Sequence, residues 1–152
     1  MVLDTNVVLR GLANPESKSG RILRACDTRE MVFLLSKPVF GEYRAVLGNP
    51  DVTARHPAIT PQTVGPVLRR LRYVSEWYST VSAKFRFERD LGDEPFLELA
   101  IVGGATLLIT FDNDILALAS GYSDAAKRFR QRLPNAAVLD PPDFMRVFAK
   151  GS

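Results

Sequence analysis

Asp4-Thr5-Asn6 stands directly after the apolar pair Val2-Leu3, and Thr110-Phe111-Asp112-Asn113-Asp114 follows a second apolar run, Leu107-Leu108-Ile109. Both clusters read as the carboxyl end of a buried strand, where an open α/β sheet places its chemistry. Carboxylates gathered at such a point repel one another unless a cation lies between them. The chemistry on offer is therefore the binding of a hard divalent ion, Mg²⁺ or Mn²⁺ rather than zinc, by oxygen ligands. No Ser-His-Asp set, Gly-rich phosphate loop or Cys/His zinc spacing competes with that reading. His56, the single histidine, precedes Pro57 in an irregular stretch and fits a surface residue better than a general base.

Further acids join these two clusters as candidates, each with a plainer alternative. Asp4, Asp93, Asp112 and Asp114 all sit where a helix begins, and capping alone accounts for an Asp there. Glu42 lies in a helical stretch with Val39, Phe40, Tyr43, Val46 and Leu47. At 100° per residue it projects only about 40° beyond Val46, so it borders the buried face and can lean toward the sheet end. Asp90 is a weaker candidate in the segment that leads to Asp93.

Strand-like and helix-like segments alternate along the chain, the pattern of a parallel α/β sheet. Val2-Leu3 is the stub of a first strand. Helices are predicted over Asn6 to Ala13, Ser19 to Arg29 and Pro38 to about Gly48, with a strand over Val32 to Leu35. Asp51 to Thr60 reads as irregular. Pro61 opens an amphipathic helix whose stripe is Val64, Val67, Leu68, Leu71, Val74 and Tyr78. That stripe serves either the core or a homodimer contact. Val81 is expected in a weak strand and Lys84 to Gly92 in a polar connection. Leu97 to Val102 is a buried helix with Glu94 and Glu98 on one side, Thr106 to Thr110 a clear strand, and Val138-Leu139 a last one.

The 152 residues suit one compact domain spanning 1–152. The one cysteine, Cys26, excludes an internal disulfide framework and reads as a small buried hydrophobe. Apolar runs fall short of the ~20 residues of a membrane span, and no signal peptide opens the chain, so the expected place is the cytoplasm. Net charge is +3 but uneven. Arg69, Arg70, Arg72, Lys84, Arg86 and Arg89 face only Glu76 and Glu88, and Lys127, Arg128, Arg130 and Arg132 face no acid. The rest is acidic. Two basic patches on an acidic body suit a phosphate-bearing polymer held across a metal centre. Ordinary solvated helix faces explain either patch taken singly.

Leu3-Asp4-Thr5-Asn6-Val7, Glu42-Tyr43-Arg44, Asp93 ahead of Phe96-Leu97-Glu98-Leu99-Ala100 and Gly103-Gly104-Ala105, and Leu108-Ile109-Thr110-Phe111-Asp112-Asn113-Asp114 together resemble a PIN domain. The closing Leu139-Asp140-Pro141-Pro142-Asp143-Phe144 resembles the end of one branch, described as toxins of toxin–antitoxin systems. The resemblance implies a three-layer α/β/α sandwich around a parallel sheet of about five strands, with the Asp4 strand beside the one ending at Thr110. It implies a ribonuclease using Mg²⁺ or Mn²⁺, with an acidic quartet on Asp4, Glu42, Asp93 and Asp112 and an extra acid at Asp114. Asn6 and Thr110 match the supporting polar residues. RNA is the implied substrate, gripped by Arg69, Arg70, Arg72, Lys127 and Arg128, and a cognate antitoxin and a homodimer are the implied protein partners.

Two features depart from that pattern. Asp90-Leu91-Gly92-Asp93-Glu94 replaces a run of aspartates, which leaves Glu94 or Asp90 as substitutes for the third ligand. Met1 stands directly ahead of Val2, so the first strand is very short, and residues missing ahead of Met1 would account for it. A catalytically silent module that binds RNA or protein remains the alternative to the enzyme. A metal-dependent phosphatase is a poorer fit, because the first motif lacks the Asp-x-Asp of the haloacid dehalogenase type.

Overall fold

The computed structural model describes residues 1–82 and 84–151. β1 (Val2–Leu3) leads into α1 (Thr5–Ala13), which Asn14-Pro15 ends. α2 (Lys18–Asp27) starts where the Ser17 hydroxyl accepts the Gly20 amide at 3.1 Å. β2 (Leu34–Ser36) runs directly into α3 (Lys37–Leu47), whose cap is the Ser36 hydroxyl, accepting from the Val39 amide. A short α4 (Pro50–Thr53) occupies part of the stretch expected to be irregular. α5 (Pro61–Val74) opens on a reciprocal capping pair, Thr60 and Thr63.

The expected strand at Val81 is displaced. β3 is Glu76–Tyr78, so Tyr78 belongs to a strand and not to the helical stripe. The helix ends at Val74, and Trp77 and Tyr78 gain a parallel ladder with β2, in register Leu35↔Trp77 and Ser36↔Tyr78. Within α5, Leu68 and Leu71 are buried, and Val64 and Val67 pack on the core.

A 3₁₀ turn (Leu91–Asp93) precedes α6 (Glu94–Gly103), which Gly104 ends in the left-handed region at φ +58. β4 (Leu107–Ile109), α7 (Asn113–Leu116), a second 3₁₀ turn (Ala117–Ala119), α8 (Asp124–Arg132), β5 (Ala137–Leu139) and α9 (Pro141–Gly151) complete the order.

The five strands form two parallel ladders, β1-β4-β5 and β2-β3, rather than one uninterrupted sheet. Met1 joins them: its amino group donates to the Val32 carbonyl at 2.7 Å and its carbonyl accepts the Leu34 amide at 2.9 Å. That pair of bonds has the slant of parallel pairing, so the strands run in the order β3-β2-β1-β4-β5. Successive strand residues face opposite sides of a sheet. Val2 and Leu3, Leu34 and Leu35, and Leu108 and Ile109 are nonetheless all buried. Helices therefore cover both faces, and the architecture is a three-layer α/β/α sandwich. Cys26 lies in this core, where burial pushes its thiol up to about 12.

Candidate metal centre

β1 and β4 pair in register Val2↔Leu108 and Leu3↔Ile109, which sets Asp4 beside Thr110 just beyond the ladder. The Asp4 amide donates to the Ile109 carbonyl at 3.0 Å, fixing the backbone there. Asp4 Oδ1 accepts the Thr5 amide at 2.7 Å as α1 begins, and Asp4 Oδ2 accepts the Thr110 hydroxyl at 2.6 Å. Thr110 Oγ1 in turn accepts the Asp112 amide at 3.0 Å, and Asp112 Oδ1 accepts the Asp114 amide at 2.8 Å. One buried hydroxyl thus ties the first acid cluster to the second.

Asp93 arrives from a different direction, at the N-cap position of α6. The side chain makes no cap hydrogen bond, and its Oδ2 is buried with no partner among the described residues. Carboxylate oxygens of Asp90, Asp93 and Asp112 lie within 4.8 Å of one another. Burial pushes the Asp93 carboxyl up to about 8, helped by the adjacent Asp112 carboxyl and by the charges of Asp4, Asp112 and Asp90. Asp4 is raised in the same sense, burial and the charges of Asp112 and Asp90 outweighing its bonds to Thr110 and Thr5.

A cavity of about 200 Å³ opens over these groups, lined by Asp4, Thr5, Asn6, Glu42, Asp90 and Asp93 among others. Thr5 Oγ1, like Asp93 Oδ2, is buried without a partner among the described residues. Glu42 reaches the cavity from α3, which is anchored by its neighbour: the Tyr43 hydroxyl donates to the Leu3 carbonyl at 2.6 Å. The amino ends of α1 and α6 meet here, and their positive dipole ends favour negative charge. Clustered oxygen donors, an unpartnered buried carboxylate oxygen and raised carboxyl pKa values all fit a hard divalent cation, which would relieve the repulsion that holds protons on these groups.

The quartet expected from the sequence is thus brought to one place, but in unequal positions. Asp4 and Glu42 line the cavity, while the tightest trio is Asp90, Asp93 and Asp112. Asp90, the weaker candidate, stands closer in than its sequence context indicated, because the 3₁₀ turn folds Asp90 and Asp93 to one side. Glu94, the other proposed substitute, points elsewhere: its Oε1 accepts the Phe87 amide at 2.8 Å, as Glu98 Oε1 accepts that of Phe85 at 3.3 Å. Asp114 is half-exposed and paired with Arg89 at 2.8 Å. Asn6 sits on the cavity rim and makes no side-chain hydrogen bond among the described residues.

The basic patches divide. Arg69, Arg70 and Arg72 occupy the last turns of α5, just ahead of the first residue of β3, which is the end of a parallel sheet opposite the acids. Arg70 is paired there with Asp27 at 2.6 Å, and Arg72 stacks on Trp77 with its guanidinium carbon 3.6 Å from the ring centroid. Arg128 of the α8 patch lines one hollow with Arg89 and Asp114, yet most of the patch is bound to backbone. Arg128 donates to the Arg86 carbonyl, Arg130 to those of Leu118 and Gly121, and Arg132 to that of Lys84. Lys127 is exposed. Arg89, which the sequence offered only as one charge among six, lies nearest the acids, next in the chain to Asp90 and bonded to Asp114.

Among the described residues no helix is long and apolar enough to cross a membrane. A family model described as a PIN domain matches residues 1–114. No curated protein and no solved structure matches the chain significantly. The matched span runs from β1 through Asp112 to Asp114, and β5 beyond it pairs with β4 in the same sheet. With its acids gathered at the carboxyl ends of β1 and β4, the chain belongs to the PIN-domain family, whose members are generally nucleases.

Proposed function

We propose that this chain is a divalent-metal-dependent endoribonuclease that hydrolyses RNA phosphodiester bonds with Mg²⁺ or Mn²⁺. The observation that carries the reading is the buried, unpartnered Asp93 Oδ2 beside the carboxylates of Asp90 and Asp112. Asp93, Asp112 and Asp90 would hold the cation, and Asp4 would complete its surroundings. When bound, the metal lowers the pKa of a water and stabilises charge on the scissile phosphate.

The protein's own groups do the rest. Thr110 holds Asp4 by one oxygen and so fixes its plane. Glu42 lines the same cavity from α3 and would take the proton that the attacking water loses. Asn6, on the rim, offers an amide to the substrate. Arg89, Lys127 and Arg128 grip the RNA backbone, contacts that position a strand without specifying its sequence.

The finer role, toxin of a type II toxin–antitoxin pair acting in the cytoplasm, is supported by the resemblance of Leu139 to Phe144. Growth arrest on expression, relieved by Asp4→Asn, tests it. For the activity itself, labelled RNA is incubated with Mg²⁺ or Mn²⁺ beside EDTA and Asp93→Asn controls. Cleavage abolished by both is expected, and cleavage untouched by either overturns the proposal. Tight RNA binding with no cleavage of any RNA would identify a silent binding module instead.

A further inference from the structure

Beside the acid cavity lies a larger cleft of about 460 Å³, lined by Phe87, Arg89, Asp114, Leu118, Tyr122 and Arg128 among others. That volume falls within the ~300–1,000 Å³ of small-molecule sites. The two hollows are joined by a short relay. Arg89 precedes Asp90 of the acid trio and donates to Asp114 Oδ1 at 2.8 Å, and the Asp114 amide donates to Asp112 Oδ1 at 2.8 Å.

The cleft walls are held firmly. Arg128 and Arg132 bind the carbonyls of Arg86 and Lys84, and Glu94 and Glu98 bind the amides of Phe87 and Phe85. On the other side Arg130 clamps the Leu118 and Gly121 carbonyls at 2.9 and 2.7 Å. A Cβ at Gly121 would lie 2.6 Å from the Ala117 carbonyl oxygen, so the turn tolerates only glycine. This fixed turn presents Tyr122 at 89% exposure on the cleft wall, so its ring face is open to a stacking partner.

The lining is mixed in charge. Glu88, Asp114 and Asp124 share it with Arg89 and Arg128, which argues against a bare anion site. It suits a nucleoside, whose base has an aromatic face and an edge of donors and acceptors, joined to phosphates that reach Arg89. We propose that this cleft is a nucleotide subsite: it takes the residue flanking the phosphate presented to the acids, with the base stacked on Tyr122. The subsite rests on the ribonuclease reading of the neighbouring acids, and it favours an unpaired residue, because a paired base would first have to be flipped out of its stack.

Fluorescence anisotropy with a short labelled single-stranded RNA, in EDTA so that no cleavage intervenes, tests it. Tyr122→Ala should weaken binding about 10-fold, the loss of one stacked base, while Tyr122→Phe binds like the wild type. Arg89→Gln should lower the salt slope of binding by about 0.7, one phosphate contact on a single strand. Tyr73→Ala, at the opposite end of the sheet, serves as the unaffected control. Wild-type affinity in Tyr122→Ala overturns the subsite, as does a loss confined to Tyr73→Ala. Failure of the wild type to cleave RNA, with Tyr122→Ala still defective in binding, would sink the ribonuclease reading and leave the subsite standing.

Discussion

The carboxyls of Asp93 and Asp112 approach within 4.8 Å although they stand at the starts of two different helices. Asp112 spends one oxygen capping α7, whereas Asp93 caps nothing, and its buried oxygen is left to its acidic neighbours. A fold that holds acids this way is strained by its own charge unless a proton or a cation neutralises it.

That strain has a pH signature. Burial and the neighbouring acids push the Asp93 carboxyl up to about 8, whereas an unfolded Asp lies near 4. Between these values the native state binds more protons than the unfolded one, so metal-free stability falls as pH rises through the window. Asp4 shifts in the same direction. Thermal melts in EDTA should lose several degrees between about pH 5 and about pH 8. Asp93→Asn should flatten the profile and melt above the wild type at the alkaline end. A wild-type midpoint that does not fall contradicts the arrangement.

Metal addition should reverse the loss. Mg²⁺ or Mn²⁺ at about 100 times its dissociation constant adds about 2.7 kcal/mol to the folded state. Asp112→Asn and Asp90→Asn should each lose most of that gain in calorimetry. A full gain in Asp90→Asn would return the third place to Asp4 or Glu42.

Glu94 separates support from ligation. Glu94→Gln keeps an acceptor for the Phe87 amide, so metal titrations should match the wild type. Glu94→Ala strands that amide at a cost of about 1–3 kcal/mol and should weaken metal binding by loosening Arg89 and Asp90. Loss of metal binding in Glu94→Gln would make it a ligand.

Thr110→Val removes the hydroxyl that serves both Asp4 and Asp112, and should cost about 1–3 kcal/mol and at least about 10-fold in RNA cleavage. Thr110→Ser should restore most of both. Equal cleavage by the valine variant would show that the tie is dispensable.

Asp4, Thr110 and Asp112 were legible because each follows an apolar strand, and adjacency to a strand end survives in a linear pattern. Glu42 was legible from helical phase. Asp90 was undervalued because its approach to Asp93 depends on a 3₁₀ turn, which leaves no periodic mark. Tyr78 fell into a helical stripe because its spacing from Val74 is also that of a helix, and only pairing with distant β2 makes it a strand residue. Charge at Arg69 to Arg72 and Lys127 to Arg132 was plain, but which end of the sheet it reached, and how much was bound to backbone carbonyls, depended on topology.

Asp4 and Thr110 meet across 106 positions of chain. Closing a loop of that length comes late, since its entropy must be met before any strand pairing offsets it. Helices α1 to α6 and the β2-β3 ladder need no such closure. A chain in which β4 has not docked beside β1 therefore lacks the Asp4–Thr110 tie. The gathering of Asp4 and Asp112 thus depends on the docking of β4 beside β1, and so on the completed topology.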